Sequence, residues 1–381
     1  MDVVSGLGSF GSSLLGYVIP FLFVLTLVVF FHELGHFLVA RRAGVRVLTF
    51  SLGFGPELTG WNDRHGTRWR IAAIPLGGYV RFFGDEDAAS TPDQDKLAHM
   101  TAEERRQSFF YQPVAWRAAI VAAGPIANFI LAIVIFSMVF MVFGRQVTLP
   151  RADQVTAGSA ADRAGFEPGD LVLSIDGQKV ESFSDMQRIV GGQAGQTLTF
   201  LIQRGPQELT LKATPELKEV KDAFGNAHRT GLLGISRSLS SGDVTTRRYG
   251  PVEAVAKGVQ ETWFVVARTF DYLGGLISGR ESADQLGGPI RIAQVSGQVA
   301  TFGIGALLSL AAVLSVSIGL LNLFPIPLLD GGHLLFYGFE AVRGRPLSAR
   351  TQDIGFRIGL AIVLMLMIFA TWNDVLHIAA M

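Results

Sequence analysis

Phe31-His32-Glu33-Leu34-Gly35-His36 ends the uncharged run Val3–Phe31. At 3.6 residues per turn, His32 and His36 fall on one face of a helix, one turn apart. Two neutral imidazoles at this spacing can bind one zinc ion, with Glu33 beside the metal as a general base. The alternative is an interfacial cluster of snorkelling polar side chains, which would leave Glu33 without a basic partner before Arg41. Ionisable side chains inside an apolar span are costly and functional by default, so the pattern favours a metal site.

A second motif supplies the third ligand that a catalytic zinc site usually has. Pro325 and Pro327 cannot occupy an undisturbed helix interior, so they predict an unwound segment before Asp330. We expect Asp330 to be the ligand, with His333 as its rival. We expect Asn322, Pro325 and Pro327 to bind the substrate, although Asn322 would also suit a hydrogen bond between helices. The motif runs Asn322-Leu323-Phe324-Pro325-Ile326-Pro327-Leu328-Leu329-Asp330-Gly331-Gly332-His333.

Composition limits the classes of protein that fit. Of 381 residues, 49% are hydrophobic and only 17% are charged, which is more apolar than an average soluble protein. The net charge is near zero, so nothing indicates nucleic-acid binding. The absence of cysteine excludes disulfides and any thiolate metal site. The N-terminus lacks the basic region of a cleaved signal peptide, so we expect it to be retained.

Four apolar runs are long enough to span a bilayer. They lie in Val3–Phe31, Ala118–Phe143, Ile292–Leu329 and about Gly355–Trp372. Arginines cluster after the first run, before the second and between the third and fourth. The positive-inside rule then places both termini and the long region Gly144–Gly303 outside, with the metal motifs near the cytoplasmic face.

Two segments outside the spans have recognisable patterns. Val45–Gly84 is rich in glycine, aromatic and β-branched residues and predicts short strands that pack on the spans or dip into the membrane. We expect its Gly77, Gly78 and Tyr79 to contribute to substrate binding by pairing with an extended peptide. Asp85–Gln112 is polar and predicts a surface loop with a short helix.

The outside region predicts a small α/β module followed by a helix. Strands are expected at Asp170–Ile175, Thr197–Gln203 and Glu208–Ala213, with a hairpin across Gly205-Pro206. A short helix is expected over Ser184–Val190, with Ser184 as its cap. Pro251–Ile277 has apolar residues at helical spacing and predicts an amphipathic helix, either at the membrane surface or packed on the module.

At these motifs the chain resembles the bacterial site-2 proteases of the RseP type. The family pattern H-E-x-x-H matches His32, Glu33 and His36, and its N-x-x-P-x-P-x-L-D-G matches the second motif. The likeness extends through Ala123-Gly124-Pro125-Ile126-Ala127-Asn128 and Gly287-Gly288-Pro289-Ile290. The resemblance implies a polytopic α-helical membrane protein of about four transmembrane helices, with a re-entrant β-hairpin and one extracytoplasmic α/β PDZ domain.

The module itself resembles a PDZ domain at Ala164-Gly165-Phe166-Glu167-Pro168-Gly169-Asp170 and Ile175-Asp176-Gly177. Well-known relatives carry two tandem PDZ modules, whereas this chain has room for one. A loop over Gly231, Leu232, Leu233, Gly234 and Ile235 is expected to capture a peptide carboxylate through backbone amides.

The resemblance implies a zinc-dependent endopeptidase of the bacterial inner membrane. Its substrates would be single-span proteins such as anti-sigma factors, already shortened outside by a site-1 protease, or remnant signal peptides.

The expected boundaries are as follows. Residues 1–44 form the first span, 45–112 a cytoplasmic loop with the hairpin, 113–145 the second span and 146–240 the PDZ domain. Residues 250–290 form the amphipathic segment, 301–335 the third span and 353–376 the fourth.

Two other functions fit parts of the pattern. A membrane PDZ receptor or chaperone without activity would need a broken catalytic set, yet every expected group is present. A metal transporter would be expected to show an internal repeat with paired interrupted spans, and the two motifs here are unlike each other.

Overall fold

The structure is a computed structural model that describes residues 3–85, 97, 99–221, 227–237, 244–281, 283 and 287–379. Residues 86–96 and 98 of the predicted polar loop, and residues 222–226 and 238–240 of the predicted PDZ domain, lie outside these ranges. The first part of the chain forms α1 (Val3–Arg42), β1 (Val47–Asn62), β2 (Arg68–Phe82), α2 (Ala102–Gln107) and α3 (Val114–Val142).

The middle of the chain is built from short strands and helices. In order these are β3 (Arg145–Thr148), β4 (Gln154–Val155), α4 (Ala160–Arg163), β5 (Leu171–Ile175), β6 (Gln178–Lys179), α5 (Phe183–Gly191), β7 (Leu198–Arg204), β8 (Gln207–Ala213), β9 (Glu216–Lys221), β10 (Ala227–Leu232), β11 (Ile235–Ser236) and β12 (Val244–Arg247). The last part is helical, with α6 (Pro251–Ile277), α7 (Pro289–Ala300), α8 (Ile304–Asn322), α9 (Asp330–Arg343) and α10 (Ala349–Ala379).

Contacts divide the chain into two units. The first, which we call the helical unit, contains residues 1–139, 255–266 and 286–381. The second, the strand-rich unit, contains residues 140–254 and 267–285. Among the described residues, four helices of the chain are long and apolar enough to cross a membrane. Their candidate spans are Leu15–Arg42, Val114–Val142, Ile304–Asn322 and Arg350–His377.

The hairpin of β1 and β2 packs on α1 and α3 through aromatic side chains. Phe50 is 1% exposed and stacks on Trp69 with ring centroids 4.2 Å apart. Phe50 also belongs to a buried cluster with Phe37 of α1 and Ile120 of α3. Residues 49–52 of β1 lie opposite both 68–71 and 78–81 of β2, so this part of β1 has a partner on either side. The hairpin is therefore anchored where the first metal motif lies.

The strand-rich unit contains a four-stranded sheet in the order β6-β5-β7-β8. β7 and β8 form the hairpin expected across Gly205-Pro206. Val172, Ile175, Phe200 and Ile202 are fully buried and form the centre of its core. Buried and more exposed positions alternate along β7, whereas in β5 Val172 and Ile175 lie three residues apart across a register shift.

The short helix of this unit starts earlier than predicted. Ser182, not Ser184, is its cap, because the Ser182 side chain accepts a hydrogen bond from the amide of Asp185. Two serines flank Phe183, and Phe183 is buried in the core of the unit as the first helical residue. Because the Phe183 ring packs in the core as the first residue of the helix, the preceding Ser182 takes the capping position.

The second metal motif differs from the prediction in one respect. The predicted third span, residues 301–335, is divided: α8 ends at Asn322, and Asp330 is the first residue of a separate helix, α9. The intervening residues are non-helical, as Pro325 and Pro327 predicted. Leu328 has φ of 103°, a left-handed conformation that is rare for a γ-branched side chain and stores strain.

Candidate metal centre

The two histidines of α1 face each other as their spacing predicts. Their Nε2 atoms are 3.2 Å apart and the rings meet edge to face at 84°. His36 is 9% exposed, so the pair lies in a largely enclosed part of the helical unit. Both imidazoles therefore present the same ring nitrogen to one point.

Asp330 reaches this point from the start of α9. Its Oδ2 atom lies 3.2 Å from Nε2 of His32 and 3.5 Å from Nε2 of His36. That oxygen is buried and has no well-aligned hydrogen-bond donor among the described residues. A buried carboxylate oxygen without a donor is costly, which indicates that the site is built for another partner.

The separations fit a tetrahedral zinc ion. Zinc binds histidine nitrogen and carboxylate oxygen at about 2.0–2.2 Å, so two ligands of one tetrahedral ion lie about 3.3–3.5 Å apart. The three measured separations, 3.2, 3.2 and 3.5 Å, match that value. Three protein ligands leave one tetrahedral position open, as in catalytic zinc sites. His32, His36 and Asp330 could therefore hold a metal ion together.

His333, the rival ligand, is not part of this group. Its ring lies 5.3 Å from the ring of Phe356 and 6.5 Å from that of Tyr337. It thus packs among aromatic side chains of α9 and α10, three residues along from Asp330.

Close packing of α1 and α3 makes the site possible. A Cβ atom at Gly35 would lie 2.2 Å from the carbonyl oxygen of Ala123. A Cβ atom at Gly124 would lie 2.3 Å from Nε2 of His36 and 2.9 Å from Cε1 of His32. Only glycine at both positions lets the backbones approach while the imidazoles fill the space between them.

Two groups of α3 that sequence reasoning did not identify contact the histidines. The carbonyl oxygen of Ile120 lies 2.9 Å from Nδ1 of His36. Asn128, which is fully buried, lies 3.3 Å from Nδ1 of His32 through its carboxamide. Asn128 stood out in the sequence as a polar residue in an uncharged span, and that was the available signal.

β2 passes beside Glu33. A Cβ atom at Gly78 would lie 3.1 Å from Cγ of Glu33 and 2.8 Å from the carbonyl oxygen of Ser51. Gly77 has φ of 98° and faces the ring of Phe54, which stacks on Tyr79 at 5.9 Å. The three hairpin residues predicted to bind substrate therefore lie on the strand nearest the expected general base.

The second motif is packed tightly around Pro327. Gly331 and Gly332 leave room for the carbonyl oxygens of Phe324 and Ile326, which a Cβ atom would approach to 2.2 and 2.4 Å. Asn322 is the last residue of α8, and Pro325 lies in the non-helical segment.

The expected carboxylate-binding loop is mostly strand. Gly231 and Leu232 are paired within β10, opposite Leu217 and Glu216. Ile235 begins β11, opposite Val155. Only Leu233, which is buried, and Gly234, with φ of 85°, lie between the two strands. The connection between β10 and β11 is therefore two residues long and not five.

Comparisons with known proteins agree with the chemistry of the site. A family profile described as "Peptidase family M50" matches residues 20–366. A relative from Agrobacterium fabrum that carries a zinc-metalloprotease name is 55% identical over 95% of this chain and 96% of its own length. Another from Rhizobium meliloti is 54% identical over 95% and 97%. "Metalloprotease MmpA" of Caulobacter vibrioides is 43% identical over 94% of each chain.

A solved PDZ domain of an SdrC-like protein from Listeria monocytogenes aligns with 24% of this chain and 85% of its own, at 20% identity. Its TM-score of 0.17 is too low to assign the fold of the strand-rich unit. The family match is much more extensive, because residues 20–366 include both metal motifs and all or part of each of the four apolar helices. The chain therefore belongs to peptidase family M50, and it is a multi-pass membrane zinc metalloendopeptidase.

Proposed function

We propose that this metalloendopeptidase cleaves transmembrane segments of single-span proteins, with His32, His36 and Asp330 holding zinc and Glu33 acting as the general base. The convergence of the three ligand atoms within 3.5 Å, with both histidines on a helix long and apolar enough to cross a membrane, carries this proposal. A peptidase site at that position acts on chain that is itself in the membrane.

The chemistry divides between the metal and Glu33. Bound zinc supplies a Lewis acid that polarises the scissile carbonyl and acidifies water. Glu33 lies one residue from His32, so its carboxylate accepts the proton of the attacking water and returns it to the leaving amine. Enclosure of the site strengthens these electrostatic interactions, because little water screens them.

Substrate presentation follows from the hairpin. A transmembrane helix hides its amides in its own hydrogen bonds, so it must unwind before a peptidase can act on it. Gly78 of β2 lies beside Glu33, and an extended segment would pair with this part of β2 as an added strand. Leu58 and Trp61 of the hairpin are 70% and 56% exposed, which suits a hairpin that enters the bilayer.

The second motif forms the opposite wall in this proposal. The residues around Pro325 and Pro327 are non-helical and would contact an extended peptide, and Asn322 can hydrogen-bond the backbone of that peptide or the oxyanion. Such a site favours substrates whose helices unwind readily.

The remaining parts of the proposal follow from charge and position. The arginines at the end of α1, on α2, at the start of α3 and around the connection from α9 to α10 support a site near the cytoplasmic face of the bacterial inner membrane. The termini and the strand-rich unit are then periplasmic. The strand-rich unit acts as a PDZ module that admits substrates already shortened by a site-1 protease, with anti-sigma factors and remnant signal peptides as expected classes. The exposed Trp263 and Val252 of α6 suit a helix at the membrane surface.

The decisive experiment compares the purified full chain with Glu33→Gln and Asp330→Asn on a tagged single-span protein that has been truncated on its outer side. Wild type should cut within the span. Glu33→Gln should keep zinc and lose cleavage, because it changes the base and leaves the ligands in place. Equal cleavage by all three proteins would overturn the proposal and favour a PDZ receptor without catalytic activity.

A further inference from the structure

Each of the two imidazoles that face the zinc site has a second ring nitrogen, and the hydrogen-bond partner of that nitrogen determines the tautomer of the ring. A neutral histidine binds metal through the nitrogen that carries a lone pair, so the other nitrogen must carry the proton. Both rings present Nε2 to Asp330. Each Nδ1 must therefore be an N–H donor that needs an acceptor.

His36 has such an acceptor in the backbone of α3. The Ile120 carbonyl oxygen, 2.9 Å from Nδ1, can only accept a hydrogen bond. This contact fixes the proton on Nδ1 and leaves Nε2 of His36 free for the metal. Pro125 lacks the amide that would bind the carbonyl of Val121, so the α3 helix is already disturbed at this level.

His32 has Asn128 in the equivalent place. The Asn128 carboxamide lies 3.3 Å from Nδ1 of His32, placed with its nitrogen nearest the ring. The carboxamide oxygen, Oδ1, is buried and has no hydrogen-bond partner among the described residues. The two ends of a carboxamide have nearly the same shape and are assigned by their hydrogen bonds. Turning the group over puts the unpartnered oxygen opposite the Nδ1–H donor that metal binding requires.

We propose that Asn128 is a positioning residue whose Oδ1 accepts a hydrogen bond from Nδ1 of His32 and so keeps Nε2 of His32 free for zinc. This inference rests on the ligand set proposed above. Ser315 of α8 donates a 2.9 Å hydrogen bond to the backbone carbonyl of Asn128 and anchors it from the other side. Ile120, Gly124 and Asn128 follow at four-residue intervals along α3, so one helix supplies both acceptors and the space for both rings.

Zinc affinity, measured on the detergent-solubilised full chain by competition with a chelator of known affinity, tests this role. Asn128→Leu has no acceptor and should weaken zinc binding about 10- to 100-fold, the usual effect of losing a group that orients a metal ligand. Asn128→Asp can only accept, so it should stay within about threefold of wild type or bind more tightly. Ser137→Ala is the matched control, because Ser137 is a buried residue of α3 whose hydroxyl donates to Ile133 and not to the site.

The outcomes separate this inference from the proposal on which it rests. Zinc binding by Asn128→Leu equal to wild type overturns the role of Asn128. Loss of zinc in Asn128→Asp as severe as in Asn128→Leu also overturns it, since an amide that donates to Nδ1 would behave in this way. His32→Ala is measured in parallel. Its retention of zinc would overturn the ligand set itself, and the role of Asn128 with it. Zinc binding by Asn128→Asp would show that replacing this buried residue does not by itself destroy the site.

Discussion

Gly124 of α3 lies directly against His36 of α1, so close that a Cβ atom at Gly124 would come within 2.3 Å of the metal-facing nitrogen. No real Cβ contact is that short, and the nearest atoms belong to the two imidazoles. The position of the histidine pair therefore depends on a residue 88 positions away that has no side chain.

Replacing Gly124 with alanine should displace the imidazoles and weaken zinc binding by at least about tenfold, comparable to loss of a group that orients a ligand. Metal content after dialysis against a chelator measures this. Gly16→Ala is the control, since a Cβ at Gly16 meets nothing within 4 Å. Full zinc occupancy in Gly124→Ala would contradict the packing described for α1 and α3.

Gly78→Ala should have the opposite profile, with zinc retained and cleavage of a single-span substrate reduced at least about tenfold. The three atoms nearest to the new methyl group would belong to Ser51, Val29 and Glu33, and none of these is a metal ligand. A displacement of about 1 Å at a reacting group can cost about 100-fold in rate. Parallel zinc and cleavage assays separate the two effects. Arg64→Ala, at an exposed position in the turn of the same hairpin, should leave both unchanged.

Gly359→Ala tests the contact between α10 and the second motif. A Cβ at Gly359 would lie 1.5 Å from the Pro327 carbonyl oxygen, so α10 or the segment before Asp330 has to move. Overpacking of this kind costs about 1–3 kcal/mol or more. The variant should unfold at lower temperature and lose cleavage. Gly338→Ala in α9, with nothing within 4 Å, should be neutral or slightly stabilising. Equal stability of the two variants would rule out the close approach.

Asp374 joins α10 to the start of α7. It is 2% exposed and accepts hydrogen bonds from the amides of Gly288, Ile290 and Arg291 at 2.8–3.1 Å. Asp374→Ala removes the acceptor of all three amides, of which that of Gly288 is buried, and should lower the unfolding free energy by about 2 kcal/mol. Thermal unfolding of the full chain measures the change.

The matched control for Asp374 is Asp353→Ala on the same helix. Asp353 is 57% exposed and forms only an (i, i+4) pair with Arg357, so its loss should cost no more than about 0.5 kcal/mol. A cost at Asp374 no larger than at Asp353 would show that the buried carboxylate does not hold α7.

Arg204 forms an ion pair with the buried carboxylate of Asp170 in the strand-rich unit. Asp170 is completely buried, and Arg204 contacts both of its carboxylate oxygens at 2.7 and 2.8 Å. Removing one partner leaves a buried unpaired charge, so Arg204→Ala should destabilise this unit by about 3 kcal/mol. Faster hydrogen exchange of the β7 and β8 amides in the full chain would measure this loss of stability. Lys179→Ala, which removes an 81% exposed side chain, should leave exchange unchanged.

Local patterns in the sequence predicted much of this molecule. The lengths of the apolar runs predicted four candidate spans, and the four-residue spacing of His32 and His36 predicted that both side chains lie on the same helix face. Pro325 and Pro327 gave the break before Asp330, and Gly205-Pro206 gave the β7–β8 hairpin. Each of these follows from covalent geometry or from a periodicity of two or 3.6 residues, which a short stretch of chain contains by itself.

The tertiary structure decided which distant groups meet, because that depends on how closely packed elements can approach. Asp330 rather than His333 joins the histidine pair, since α9 begins at Asp330 and turns His333 toward Phe356. Ser182 rather than Ser184 caps its helix because Phe183 is drawn into the core. The sequence by itself thus determined the elements and the chemical groups they carry. The contacts depend on glycines that leave space for a neighbouring backbone or imidazole. The sequence does not predict this role, because it depends on which group of the folded chain lies next to each glycine.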